Sequence, residues 1–175
     1  LERPEFLEEI ARLYVDAGAD LVTTDTFGAT SFRLKLHGLD GERERVNRQA
    51  VEAVKRAVGG RALVSGSIGP SGQLLEPYGD TSPDAVEEAF AEQVAVLASA
   101  GADVLCIETM GDLVEAARAV KAAKTVAPGV PVMATMTFEP TPRGYFTVMG
   151  VSVEKAAAGL EAAGAQLEGP LERRQ

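Results

Sequence analysis

A single cysteine, a single histidine and a single asparagine occur in 175 residues. One thiol, Cys106, rules out an internal disulfide and fits a reducing compartment, so a cytoplasmic protein is expected. Cys106 and His37 cannot between them build a self-contained zinc site of the usual His/Cys type. No apolar run approaches the roughly 20 residues that a membrane helix requires. No basic start leads into an apolar stretch, so no signal peptide is expected. Positive charge is short as well: 17 Lys and Arg stand against 26 Asp and Glu, a net charge of −9. Nucleic acid binding rests on neutralising phosphates, so this balance argues against nucleic acid and against anionic membrane surfaces as partners. No strand carries a lysine, which disfavours Schiff-base chemistry. The start, Leu1-Glu2-Arg3-Pro4, reads like the middle of something longer.

What the chain does have is one layout used several times. Ala17-Gly18-Ala19-Asp20 recurs as Ala100-Gly101-Ala102-Asp103 and nearly again as Ala163-Gly164-Ala165-Gln166. Each copy marks a helix end, a glycine in the C′ position and a strand start. Helices are expected over Leu1–Ala17, with Phe6, Ile10, Leu13 and Tyr14 sharing one face, and over Glu42–Val58. Three more follow Ser82-Pro83, Asp112 and Ser152, each a strong capping residue. Strands are expected over Asp20–Phe27, Ala62–Ile68, Asp103–Thr109 and Pro131–Phe138, with a fifth opening at Ala165-Gln166. The tail Leu167–Gln175 does not continue that strand by pattern and reads as a helical turn or a displaced segment. Gly28–Gly41 and Glu139–Gly150 read as loops, the first with a helical turn around Ser31–His37.

The strands are short continuous apolar runs, as expected when both faces are buried, and they alternate with helices. A doubly wound sheet and a (β/α)₈ barrel both fit. Long βα loops, short αβ turns and polar residues at every strand's downstream end favour the barrel, whose chemistry sits there. The count is short, since a barrel needs eight strands and about 250 residues. The fold class is therefore an α/β (β/α)₈ barrel of which about half is present, residues 1–166 forming a partial barrel and 167–175 a tail.

Those downstream ends supply the candidate site residues: Thr24, Asp25, Thr26 and Phe27 after the first strand, Ser67 after the second, Glu108 after the third and Thr135 in the fourth. Glu108 stands out, because a carboxylate closing a buried strand is expensive without a partner. It can take an ammonium group or a proton; the plainer alternative is a hydrogen bond to a neighbouring strand. Thr24 to Thr26 can equally be capping the loop that follows. Ser67-Ile68-Gly69-Pro70-Ser71-Gly72 suits a loop bringing backbone N–H groups close to a ligand, but it lacks the Gly-Lys-Ser/Thr ending of a P-loop. Cys106 is read as an inert buried thiol and His37 as a solvated surface residue.

Three stretches then point to a family: AGADLVTTDTFGATSFRL at Ala17–Leu34, GSIGPSGQLLEPYGD at Gly66–Asp80 and AGADVLCIETMGDLVEA at Ala100–Ala116, with RPEFLEEI and MTFEPTPRG agreeing. Over Leu1–Gln166 the sequence resembles the homocysteine S-methyltransferase domain. That domain is a (β/α)₈ barrel found in methionine synthases and betaine–homocysteine methyltransferases, and the Gly69–Gln73 region looks most like the module of cobalamin-dependent methionine synthase. The resemblance implies methyl transfer to homocysteine thiolate to form methionine, within one-carbon metabolism. It also implies a zinc held by three cysteines, which lowers the thiol pKa. Those cysteines belong to the sixth and eighth strands, and Cys106 matches none of them. The methyl donor is left open between small molecules and a corrinoid module, so cobalamin or a folate-derived methyl would be the partner cofactor. By resemblance Glu108 would hold the homocysteine amino group and Thr24–Phe27 would line the substrate. Family members usually have Asn where this chain has Asp25. The competing reading is a truncated, catalytically inactive half-barrel acting as a subunit or scaffold.

Overall fold

The computed structural model describes residues 3–171. Helix α1 (Pro4–Asp16) leads into strand β1 (Leu21–Thr23). A short helix α2 (Ser31–Lys35) and a 3₁₀ turn precede α3 (Arg43–Val58), β2 (Leu63–Ile68), α4 (Pro83–Ala100) and β3 (Val104–Met110). Then come α5 (Leu113–Val126), β4 (Val132–Thr137), a hairpin of β5 (Glu139–Thr141) and β6 (Gly144–Phe146), α6 (Val153–Ala163) and β7 (Leu167–Leu171). The hairpin occupies what the sequence suggests is an irregular loop. Ser82, Asp112 and Ser152 each accept a hydrogen bond from the first turn they open, as their sequence positions suggest.

The main sheet is parallel and runs in the order β1-β2-β3-β4-β7. Chain order and spatial order therefore agree, with no reversal. Crossovers between parallel strands are right-handed, so an unreversed order lays every connecting helix on the same face. Neighbouring helices accordingly pack in sequence, α1 on α3, α3 on α4, α4 on α5 and α5 on α6. A doubly wound sheet needs a switch point with helices on both faces, and this one has none.

β7 corrects the expectation of a helical turn or displaced segment at Leu167: residues Leu167–Leu171 pair in parallel with Met133–Thr137 of β4. Main-chain pairing needs no apolar pattern, which is why Glu-Gly-Pro hid it. Residues 172–175, the rest of that tail, lie outside the described residues.

The core lies between sheet and helices. Val64, Ile68, Leu105, Ile107, Ala134 and Met136 face the helices and are fully buried against Phe90, Val94, Leu97 and Val120. α1 differs from expectation. Phe6, Ile10, Leu13 and Tyr14 are exposed, and Ala11 and Val15 carry the helix onto α3. Small residues let two helices approach closely, whereas the bulky stripe overhangs the outer edge of β1. There Leu7, Ile10, Tyr14, Leu21 and Val22 line a groove of about 300 Å³.

The repeated Ala-Gly-Ala-Asp layout has a mechanical meaning. Gly18, Gly101 and Gly164 hold φ of 95°, 95° and 102°, the left-handed C′ conformation that glycine takes without strain. Asp103 then clasps the start of β2: its N–H donates to Val64 O at 2.8 Å, and its Oδ2 accepts from Val64 N at 2.8 Å. Gln166 does the same to β4, with its N–H on Val132 O at 2.9 Å and its Oε1 taking Val132 N–H at 3.1 Å. Each copy ends a helix, and the second and third also fix the register of the next strand on its predecessor.

Candidate functional site

The downstream ends of β1 to β4 meet at one rim, and a break in β3 shapes it. Ile107 stands opposite Ala134 and Met110 opposite Met136, so Glu108 and Thr109 together face the single residue Thr135. This β-bulge turns the strand's end. It also forces Thr109 to φ 62°, a left-handed conformation that a β-branched residue adopts only at a cost of about 1–2 kcal/mol. The Thr109 N–H is held by Thr135 Oγ1 at 3.2 Å. Glu108 is thereby aimed at β2, where Ser67 Oγ donates to its Oε1 at 2.6 Å. Glu108 is half-buried, and among the described residues no Lys, Arg or His forms an ion pair with it. A half-buried carboxylate with one hydroxyl partner and no paired cation among the described residues is suited to receive an ammonium group.

Thr24 and Thr26 lie just beneath, buried and engaged with each other. Their hydroxyls share a 2.7 Å hydrogen bond, Thr26 Oγ1 donates to Ser67 O at 2.6 Å, and Thr24 Oγ1 accepts from Ser67 N at 3.1 Å. Their side chains fasten the end of β1 to the end of β2. The two threonines thus stand under the rim, with Ser67, Glu108 and Thr135 upon it. Phe27 is 38% exposed, and its ring lies on Gly69, where a Cβ would come within 2.6 Å of it. Asp25 is exposed and lines a depression on the α1 side with Arg3, Phe6 and Ile10.

A second tier of buried polar residues supports the rim, and sequence reasoning passed over it. Gln93 of α4 donates from Nε2 to Thr26 O at 2.8 Å and to Asn47 Oδ1 at 3.0 Å. Asn47 of α3 donates from Nδ2 to Ala29 O and Arg43 O, both at 2.9 Å. Glu115 of α5 accepts from Ser71 N at 2.7 Å and from Ser71 Oγ at 2.5 Å. The signal was available for Gln93, a polar residue inside the stripe Val86, Phe90, Val94, Leu97. Glu115 looks like an ordinary acidic first-turn residue and gives none. The loop from Gly69 to Gln73 is correspondingly inward-tied. The N–H groups of Gly69, Ser71 and Gln73 are bonded to Phe27 O, Glu115 and Ser71 Oγ, so it does not present the row of free amides that its glycines suggest.

Cys106 is buried in mid-strand, and burial, aided by the charge of Glu108, pushes its thiol up to about 12. It is protonated at neutral pH and inert. Among the described residues no group of three or more His, Cys, Asp and Glu could hold a metal ion, so the donor set here does not fit zinc.

The sequence model of the homocysteine S-methyltransferase family matches residues 1–169. The chain belongs to that family. Among curated proteins it is similar to the methionine synthase of Mycobacterium tuberculosis, at 31% identity over 178 residues, and to that of Mycobacterium leprae, at 29% over 177. Each match covers 95% of this chain but only 14% of the relative, so the chain spans about one seventh of these proteins. Among solved structures it is similar to the metallated form of the homocysteine methyltransferase MmuM from Escherichia coli, with a TM-score of 0.67 and 20% identity over 100% of this chain and 82% of that one. A carboxyl transferase domain of Rhizobium etli pyruvate carboxylase follows at TM-score 0.59 and 13% identity, covering 97% of this chain and 24% of that one. Likeness at these identities speaks for the fold alone.

Proposed function

We propose that this chain is the amino-acid-binding part of a homocysteine S-methyltransferase of the methionine-forming kind. The observation that carries the reading is Glu108, thrust out by a strained bulge, bonded to Ser67 and paired with no cation among the described residues. In a family that acts on homocysteine, that carboxylate receives the substrate's ammonium group. Ser67 orients it, and Thr135 holds the bulge. Thr24 and Thr26 serve the substrate indirectly by fixing β1 to β2, while Phe27 offers an apolar wall at the rim. Asp25 lies outside this set.

The sheet is read as part of a (β/α)₈ barrel, with residues 1–166 and the β7 strand accounting for five of its strands. The sequential order and the single helical layer support this. So does Asp20, which stands before β1 as Asp103 stands before β3 and Gln166 before β7. Its two counterparts each clasp a preceding strand, and the edge of β1 beside it carries no strand among the described residues. Zinc ligands and methyl-donor contacts, whether to a corrinoid or to a folate-derived methyl, would then come from polypeptide other than these residues, in a cytoplasmic enzyme. The alternative of a non-catalytic half-barrel is favoured by the two sheet edges, at β1 and β7, that are open among the described residues. A chain that runs as a clean monomer on size exclusion speaks against it.

The test compares L-homocysteine with 4-mercaptobutyrate, which lacks only the amino group, in calorimetric titrations of the protein and its Glu108→Gln variant. A hydrogen bond to a charged group contributes about 1.5–3 kcal/mol, so the variant loses roughly 10-fold to 100-fold in homocysteine affinity and none for the analogue. Equal homocysteine affinity in both proteins sinks the reading.

A further inference from the structure

Glu115 is a buried carboxylate that the proposed chemistry does not use. It stands in the first turn of α5 and is 4% exposed, and no Lys, Arg or His is paired with it among the described residues. A carboxylate removed from water is costly unless its hydrogen bonds are good. Both bonds here go to one residue, Ser71, which is itself fully buried. The N-terminal end of α5 supplies a further favourable field.

Ser71 is the pivot of the βα loop above the rim. Two residues before it, Gly69 gives its N–H to Phe27 O at 3.0 Å and seats the Phe27 ring. Four residues before it is Ser67, the partner of Glu108. Two residues after it, Gln73 N–H closes on Ser71 Oγ at 3.2 Å, and Gln73 Oε1 takes the Thr81 hydroxyl at 3.2 Å. One side chain on α5 thus anchors the loop that leaves β2, two residues beyond the Gly69–Phe27 bond and four beyond Ser67.

We propose that Glu115 is a positioning residue for the amino-acid substrate: by holding Ser71 through two hydrogen bonds it stations Phe27 and Ser67 around Glu108. The proposal rests on the reading that the rim receives homocysteine. What it requires of Glu115 is an acceptor oxygen at this reach. A glutamine offers the same oxygen to both donors, whereas alanine offers none.

The experiment uses the protein, Glu115→Ala, Glu115→Gln and Ser71→Ala, each checked for folding by far-UV circular dichroism at low temperature. Amide hydrogen exchange over Gly69–Gln73 and calorimetric affinity for L-homocysteine are measured on each. In Glu115→Ala the exchange accelerates and affinity falls about tenfold, the loss of one well-made bond. Glu115→Gln restores both, and Ser71→Ala, which keeps the N–H bond, lies between. Should Glu115→Ala fail to fold, the Gln and Ser71 variants decide alone. Wild-type affinity in Ser71→Ala, or loss in a folded Glu115→Gln equal to that of alanine, overturns the positioning role. If the unaltered protein binds no homocysteine, the functional reading fails. Exchange then decides separately: unchanged rates in the variants overturn the Glu115–Ser71 clasp, and accelerated rates uphold it.

Discussion

The most demanding prediction concerns Asn47, where a near-isosteric substitution is expected to do more harm than truncation. Asn47 is wholly buried and makes three hydrogen bonds, donating to Ala29 O and Arg43 O and accepting from Gln93. Two carbonyl partners oblige its amide nitrogen to face them. Asn47→Ala removes three bonds at roughly 1 kcal/mol each, so it costs about 3 kcal/mol. Asn47→Asp keeps the oxygen that serves Gln93 and sets a second oxygen against two carbonyl oxygens. It loses both donor bonds, about 2 kcal/mol, and leaves a buried charge without a partner, about 3–5 kcal/mol more. The sum approaches the whole stability of an ordinary domain, about 5–15 kcal/mol. The penalty is pH-dependent. Burial raises the folded-state pKa of the introduced carboxyl above its unfolded value, so stability is present at low pH and is lost as pH rises through the folded value. Urea unfolding followed by circular dichroism near pH 5 and near pH 8 tests both statements. If Asn47→Asp at the higher pH is no more destabilised than Asn47→Ala, or shows no pH dependence beyond that of the unaltered protein, the buried network is not what ties α3 and α4 to the end of β1.

Two glycines separate stability from site geometry. At Gly79 an added Cβ would run into the main-chain carbonyl of Leu74, which cannot swing aside, so Gly79→Ala lowers stability by about 1–3 kcal/mol or more. At Gly69 the obstacle is the Phe27 ring, which has solvent to move into. Gly69→Ala therefore costs under about 1 kcal/mol in unfolding while weakening homocysteine binding, a contrast that thermal melts and titrations on the two variants read directly. Burial holds the Glu115 carboxyl above its usual range, with Asp112 pushing the same way and the Ser71 hydrogen bonds opposing. A raised acid contributes stability below its unfolded pKa and loses it as pH rises through the folded one. Glu115→Gln, which keeps the bonds without the charge, is thus expected to match the protein in melting temperature at acid pH and to exceed it at neutral pH. Equal melting temperatures at both would remove the burial argument.

Much of this protein was settled locally, by residues a few positions apart. The helix starts at Ser82, Asp112 and Ser152, the glycine ends at Gly101 and Gly164, and the apolar runs of β2, β3 and β4 are set by capping, backbone freedom and short-range patterning. They were therefore legible in order along the chain. Ser67, Glu108 and Thr135 likewise stand out in the sequence as polar residues in the downstream halves of the apolar runs of β2, β3 and β4. What depends on register could not be read in this way. The bulge that puts Thr109 in a left-handed turn exists only because β3 has two residues where β4 has one. The clasps of Asp103 on Val64 and of Gln166 on Val132 join residues 39 and 34 positions apart. Burial is likewise a property of the assembled layers. The apolar stripe of α1 looks like a core face yet stands exposed, whereas Asn47 and Glu115 look solvated yet lie inside. Polarity is written in each side chain, but whether water reaches it is decided by what packs on top, and only the folded chain contains that information.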